Sequence, residues 1–304
     1  MIALIDGDEV AYKVALSYQQ TWYSVYKDDK YKWKYKHKAD AAESIGNRDD
    51  LEIKVELEVF EPTDLKEKIN TIVSAILFNT NSTDLRFYLS GHNNFRYDFA
   101  TLLPYKGNRE GGNRPFHLTL VKEELRERGA ELLDFLEADD LLSANDSLIQ
   151  KPTVICSTDK DLRTVPSLNY NITTKLLQRI TPEVASFNFW KQILIGDPTD
   201  NIPSPYGLGE VGADEYLSFI WEKLLKSGYT NLDRDYYQAI LPFYRNHLSR
   251  RDKKGNLKTK WYDAMLKRTD GTAYDSVEGI ILEVGNLLWM HRTLDPEERW
   301  VLPV

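Results

Sequence analysis

The chain has 304 residues, 42% of them hydrophobic, which is enough to bury a full core and a second, smaller unit. No apolar run approaches the length of a membrane span, and the opening MIALIDGDE carries acids where a secretory leader needs a basic and then an apolar stretch. A soluble cytoplasmic protein is expected. The single cysteine, Cys156, excludes an internal disulfide, the five histidines show no zinc-ligand spacing, and the net charge of -8 means that any contact with nucleic acid must rest on local basic segments.

Ile2 to Ile5 is a short apolar run ending at Asp6-Gly7-Asp8, the pattern of a buried strand followed by a turn, and a helix is expected through Val14. Lys30 to Lys38 alternates lysine with Tyr31, Trp33, Tyr35 and His37, and Leu51 to Val59 alternates apolar with charged residues. Both have period two and are expected to pair as an antiparallel ribbon with one wet face. Leu65 to Leu77 places Ile69, Ile72, Val73 and Ile76 at helical spacing. Arg86 to Leu89 reads as a second strand, Leu118 to Leu125 as the start of another helix, and Thr153 to Cys156 as a third strand. Strands alternating with helices imply a parallel α/β sheet. From about Ser186 the character turns helical, with helices expected over Phe189 to Ile195, Ala213 to Leu225 and Val277 to Trp289. Arg245 to Lys260 is so rich in Lys and Arg that it reads as an exposed loop.

Acids concentrate in four segments: Asp6 and Asp8 after the first strand, Glu137-Ala138-Asp139-Asp140 in a helix, Asp159 and Asp161 after the third strand, and Asp197 and Asp200 in GDPTDNIP. In an open parallel sheet the carboxyl ends of the strands share one edge, where ligands bind. Glu137 and Asp140, three apart on one helix, can face the same point with Asp139 flanking it. Taken singly, each segment is ordinary turn or cap chemistry. Gathered on one edge, so many carboxylates would raise one another's pKa unless a cation neutralised them, and hard oxygen donors select magnesium or manganese. Two such ions can serve both the attacking and the leaving oxygen of phosphoryl transfer.

In order along the chain, LIDGDEVAYK, YKGNR (Tyr105 to Arg109), EADDLL, STDKDL and GDPTDNIP followed by GLGEVGA resemble the motifs of the flap endonuclease and phage 5′ nuclease superfamily. The resemblance implies a parallel-sheet, PIN-like α/β nuclease domain over residues 1–186, with hairpin insertions at about 20–60 and a helical arch at about 109–131. A helical region with a helix-three-turn-helix would follow over 187–304. It implies a 5′-3′ deoxyribonuclease using two Mg2+ or Mn2+ ions, with K+ at the helix-three-turn-helix and DNA 5′ ends, duplex or flap, as substrate. Asp6, Glu137, Asp139 and Asp140 would hold the first ion, Asp159, Asp161 and Asp200 the second, and Asp197 would hold it or cap the following turn. Lys106, Arg109 and Arg96 would steer the scissile phosphate.

Gly207, Gly209 and Gly212 also spell a dinucleotide-binding fingerprint, but no hydrophobic strand precedes them. They are expected instead to let helix-terminal amides hold a DNA phosphate. Arg250, Arg251, Lys253 and Lys254 are expected to add salt-sensitive affinity for DNA. One departure from the family stands out: Ser90-Gly91 follows the second strand where relatives carry an aspartate. A reduced site would leave a DNA-binding module without catalysis, and a structure-specific flap or RNase H-like endonuclease is the other alternative.

Overall fold

The computed structural model describes residues 1–109, 114–203, 208–248, 268–272, 274 and 276–304. The chain separates into two compact units, one comprising Met1–Asp6, Ile76–Gly112 and Glu131–Val304, the other Gly7–Ala75 and Asn113–Ala130. The boundary expected near residue 186 is therefore not where the contacts divide. The C-terminal helices share a unit with the parallel sheet, and the insertion leaves after the first strand.

In the first unit a five-stranded sheet has the order β5-β1-β6-β7-β8, formed by Ile2–Asp6 (β1), Asp84–Tyr88 (β5), Thr153–Cys156 (β6), Ser167–Tyr170 (β7) and Leu177–Ile180 (β8). β1 pairs in parallel with both β5 and β6, β7 continues in parallel, and only β8 turns back antiparallel. β1 is buried at every residue because it lies centrally and is covered on both faces, which is why its sequence is continuously apolar rather than alternating. Register sets Asp6 opposite Tyr88 and Ile5 opposite Cys156, so β1, β5 and β6 end together. Ile2, Leu4, Ile155, Leu141 and Leu142 form a core between this sheet and the helix Ala138–Leu148 (α6).

The helices of this unit are Phe95–Phe99 (α4), α6, Pro182–Ile195 (α7), Glu210–Ser227 (α8), Leu232–Leu248 (α9) and Val277–Leu288 (α10). α7 starts earlier than periodicity indicates, because Thr181 caps Val184 N and Pro182 occupies the first turn. α9 carries Pro242 inside it, the residue that hides this helix from a sequence reading. Arg245 to Leu248 close α9 rather than opening a loop. Trp190, Ile193, Leu217, Tyr236, Tyr244, Ile280 and Val284 make the common helical core. No described helix is long and apolar enough to cross a membrane.

The second unit holds Gly7–Leu16 (α1), Gln19–Lys27 (β2), Lys30–Tyr35 (β3), Lys38–Ile45 (α2), Glu52–Val59 (β4), the first part of Leu65–Thr80 (α3) and Leu118–Glu127 (α5). The expected ribbon is corrected here. β3 and β4 do not pair with each other, because β2 lies between them and pairs antiparallel with both. α2 covers one face of this sheet through Ala41 and Ile45, against Val25, Leu51, Tyr23 and Trp33.

Candidate functional site

The aligned ends of β1 and β6 and the start of α6 bring the acidic segments of the first unit together. One concavity is lined by Tyr105, Lys106, Arg109, Glu137, Asp139, Asp159, Lys160, Asp161, Asp197 and Asp200. Asp6, at the end of β1, is buried and accepts a hydrogen bond of 2.9 Å from Ser157 Oγ. The turn after β6 arranges its own acids, since Asp159 N donates to Ser157 Oγ and Asp161 N donates to Asp159 Oδ1. Gln192 of α7 holds Asp161 from the far side.

These carboxylates feel one another. Burial, and then the charges of Asp159, Asp6, Glu137 and Asp161, hold the Asp139 carboxyl well above the usual carboxylate range. Burial and the neighbouring Asp159 and Asp197 push Asp161 up to about 8. Asp159 is likewise raised, by burial first and by Asp200 and Asp197, against the lowering effect of its bond from the Asp161 amide. Three cations of the chain counter part of this charge. Lys106 bonds Glu137 and lies 3.7 Å from Asp200, while Arg109 bonds Asp200. Lys160 Nζ lies 3.3 Å from Asp197 Oδ2.

Lys106 takes a left-handed backbone, φ +55°, uncommon for a residue with a Cβ, and its amide donates to Asp200 O at 2.9 Å. That bond ties the YKGNR turn to the GDPTDN segment, so both loops present their side chains to one point. Tyr105, which the motif reading passed over, is buried with its hydroxyl 2.9 Å from Glu137 Oε2 and 2.7 Å from Asp200 Oδ2. One phenolic proton cannot serve two carboxylates, and a cation of the chain stands by each of these oxygens, Lys106 at 3.7 Å from Asp200 Oδ2 and Arg96 at 3.7 Å from Glu137 Oε2. A tyrosine between a basic turn and two distant acids leaves no signal in local sequence.

Two expectations are corrected. Asp140 does not face the cluster: it is fully buried, its oxygens taking Arg96 Nη1 at 2.6 Å and Nη2 at 2.9 Å, with further bonds from the Glu137 and His291 amides. Burial alone would push its carboxyl up, but Arg96 more than offsets this and holds it below the ordinary value. The cause is local. Glu137 is the N-cap of α6 rather than a residue within it, so Asp140 is the third helical residue, turned back to close a capping box. Arg96 is equally buried and does not reach for a phosphate, because its other hydrogens go to Leu287 O at 3.0 Å and Trp289 O at 2.7 Å, at the end of α10. Asp197 is buried and caps its own turn, its Oδ1 accepting from Thr199 N at 2.7 Å.

Ser90 supplies no charge to the cluster, and its hydroxyl accepts from Ala138 N at 3.0 Å, at the start of α6. Gly91 is required for space rather than for a positive φ: a Cβ there would stand 2.0 Å from Leu133 O. Asp8, the residue most readily enlisted in place of a missing acid, belongs to the second unit and pairs with Lys122 at 2.6 Å.

Gly209 is the exposed N-cap of α8, with no side-chain cap, and Gly212 lies in the first turn against Leu208. A helix, not a strand, precedes this glycine segment, which removes the dinucleotide reading. Gly207, Arg250, Arg251, Lys253 and Lys254 lie outside the described residues, as do residues 110–113 of the expected arch.

Among the described residues no group of three or more carboxylates, imidazoles or thiols is gathered closely enough to hold a metal ion as placed. The donor chemistry nonetheless fits one: hard oxygens only, from separate segments, with pKa values raised by burial and then by neighbouring acids.

No protein-family model matches the chain, and no curated protein matches it. Among solved structures, T5 5′-exonuclease with bound zinc is similar at 14% identity and a TM-score of 0.46, covering 95% of this chain and 99% of that one. A bacteriophage T5 flap endonuclease, in a pseudo-enzyme-product complex with DNA and metal ions, is similar at 14% identity and a TM-score of 0.45, covering 94% and 98%. A mutant T5 5′-exonuclease is similar at 14% identity and 0.44, covering 95% and 99%.

Proposed function

We propose that this chain is a divalent-metal-dependent 5′ nuclease that hydrolyses DNA phosphodiesters from 5′ ends. The observation that carries the reading is the convergence of Asp6, Glu137, Asp139, Asp159, Asp161 and Asp200, drawn from four separate segments, around a pocket that also holds Lys106 and Arg109. Glu137, Asp139 and Asp6 would hold one ion, and Asp159, Asp161 and Asp200 a second. Bound there, Mg2+ or Mn2+ would neutralise the phosphate and activate water. Tyr105 orients Glu137 and Asp200. Lys106 and Arg109 supply positive charge where a pentavalent phosphate gathers negative charge. The amino terminus of α8 offers amides to a phosphate of the same DNA, and a K+ ion there would reinforce the grip.

Incubating the purified protein and magnesium with 5′-labelled and 3′-labelled duplex, flap and single-stranded DNA tests this reading. Short products from the 5′ end mark an exonuclease, and one cut at a junction marks a flap endonuclease. Absence of cleavage with any substrate in magnesium or manganese overturns it. The second reading, a binding module without catalysis, is favoured by Ser90 alone, since Ser90 occupies the strand end where a further acid would stand.

That feature has its own test. Ser90→Asp is expected to keep the cap on Ala138 and add a carboxylate beside Glu137, lowering the magnesium concentration for half-maximal rate by roughly threefold or more, since each hard anionic ligand adds affinity. An unchanged magnesium demand would show that the existing acids already complete the site. Gly91→Asp is expected to fold poorly, because the backbone of Leu133 and Asp134 occupies the space its Cβ needs.

Lys106→Ala and Arg109→Ala are each expected to lower the single-turnover rate by about 100-fold, with a smaller effect on DNA affinity, as fits charges aimed at a transition state. Equal losses of rate and affinity on every substrate would make them general backbone contacts instead.

A further inference from the structure

The three-stranded sheet of the second unit has one face covered by α2 and one that is not, and the uncovered face has an unusual composition. Register places Trp22, Ser24 and Tyr26 of β2 on it, opposite Lys34 of β3 and Glu56, Lys54 and Glu52 of β4. A bulge between Val25 and Tyr26 shifts the alternation of β3, so that Tyr31 pairs with Tyr26 and their rings meet edge to face at 5.9 Å. Lys34 Nζ sits 4.0 Å and Lys36 Nζ 5.8 Å from the centre of the Trp22 ring, and Lys54 Nζ lies 4.9 Å from that of Tyr26. Three aromatic rings thus alternate with lysines across one surface.

The charge is separated in a useful way. Lys30, Lys32, Lys34 and Lys36 are exposed and none has an ion-pair partner among the described residues. The acids stay on the β4 side, where Glu56 accepts from Ser24 and Tyr26, and Glu58 from the Trp22 indole at 2.7 Å. β3 is one of the two edge strands. Alternate residues along it stand about 6.7 Å apart, at a rise of about 3.3–3.4 Å per residue, comparable with the spacing of phosphates along an extended single strand.

We propose that this face binds single-stranded DNA, with Lys32, Lys34 and Lys36 on successive phosphates and Trp22, Tyr26 and Tyr31 against bases. The choice of DNA rests on the nuclease reading; the polyanion rests on the lysines and the single strand on the rings. Flat aromatic surfaces stack on unpaired bases of any sequence, and a row of lysines tracks the backbone. The exposed cation–π contacts are weak, so lysines can leave the rings for phosphates at little cost.

The competing explanation is that lysines on an edge strand only prevent strand-to-strand association. The two are separated with the full-length protein in EDTA, by fluorescence anisotropy of a labelled 20-nucleotide oligo-dT over a range of salt. The triple variant Lys32→Ala, Lys34→Ala, Lys36→Ala is expected to lose at least tenfold in affinity at low salt. Its slope of log affinity against log salt should fall by about 2, at roughly 0.7 per phosphate contact. The matching arginine variant should retain both. Trp22→Leu should weaken binding about fivefold or more without changing the slope. Circular dichroism checks the fold of each.

Unchanged affinity and slope in the folded alanine variant overturns the proposal, as does failure of the parent to bind the oligonucleotide. Sedimentation showing self-association of that variant, with binding intact, assigns the lysines to edge protection. Because binding is read without metal, loss of cleavage by the parent would sink the nuclease reading and leave this result standing.

Discussion

Asp159→Asn and Asp161→Asn are each expected to lower cleavage by about 1000-fold or more while leaving DNA affinity within a few fold, since about 4 kcal/mol of transition-state stabilisation is at stake when a ligand of a catalytic ion is lost. The same substitutions should make the metal-free protein more stable. Each replaces a buried carboxyl whose ionised form is penalised by burial and then by the neighbouring acids, as the raised pKa values of Asp139, Asp159 and Asp161 express, so the gain is largest at the pH where that carboxyl would ionise.

The pH dependence follows from Asp161, raised from 3.8 to about 8 by burial and then by Asp159 and Asp197. Between those values the folded protein holds a proton that the unfolded chain has released, so stability falls as pH rises through the window. Below about pH 4 both states are protonated and the penalty is absent; above about pH 8 it is fully expressed. Urea unfolding in EDTA at pH 5.5 and 8 should show the parent losing stability at the higher pH, and Asp161→Asn losing less. Adding magnesium should restore the parent and not the variant. Near-normal cleavage by both variants, or a parent whose metal-free stability rises with pH, would remove these acids from the site.

Arg96→Ala is expected to be the most damaging single change to stability, costing roughly 3–5 kcal/mol, because it strands a fully buried carboxylate. The guanidinium gives two bonds to Asp140 and one each to Leu287 O and Trp289 O. It therefore joins the amino terminus of α6, which carries Glu137 and Asp139, to the carboxyl end of α10. Arg96→Lys should recover little, since an ammonium cannot make the paired bonds of a planar fork and still reach two carbonyls. If Arg96→Ala unfolds near the parent's urea midpoint but loses rate on every substrate, the arginine serves the phosphate after all and the buried pairing is secondary.

Much of the site was legible because its residues come in short runs that follow buried strands. Ile2 to Ile5 and Val154 to Cys156 are apolar throughout, and a run of that kind followed closely by acids can hardly be read otherwise in a parallel sheet. The amphipathic helices α3, α5 and α10 were equally plain, since their apolar spacing is carried within each element. The strands β7 and β8 were not, being four residues each with polar members, held by pairing with residues distant in sequence.

The sequence alone determined which acids are available and that a basic turn lies between the first of them and the rest. Only the tertiary structure decided which way each points. The capping of α6 by Glu137 sends Asp140 inward to Arg96, and a phase difference of one residue separates a charge facing the pocket from one locked in the core. Tyr105 acquires its place because the Lys106 amide reaches the carbonyl of Asp200, and β2 lies between β3 and β4 in the sheet although both follow it in the chain, because β4 returns to pair with its free edge. Periodicity reports the face a residue turns within its own element. Which partner waits on that face is set by contacts between segments tens to hundreds of residues apart, and local pattern carries no record of them.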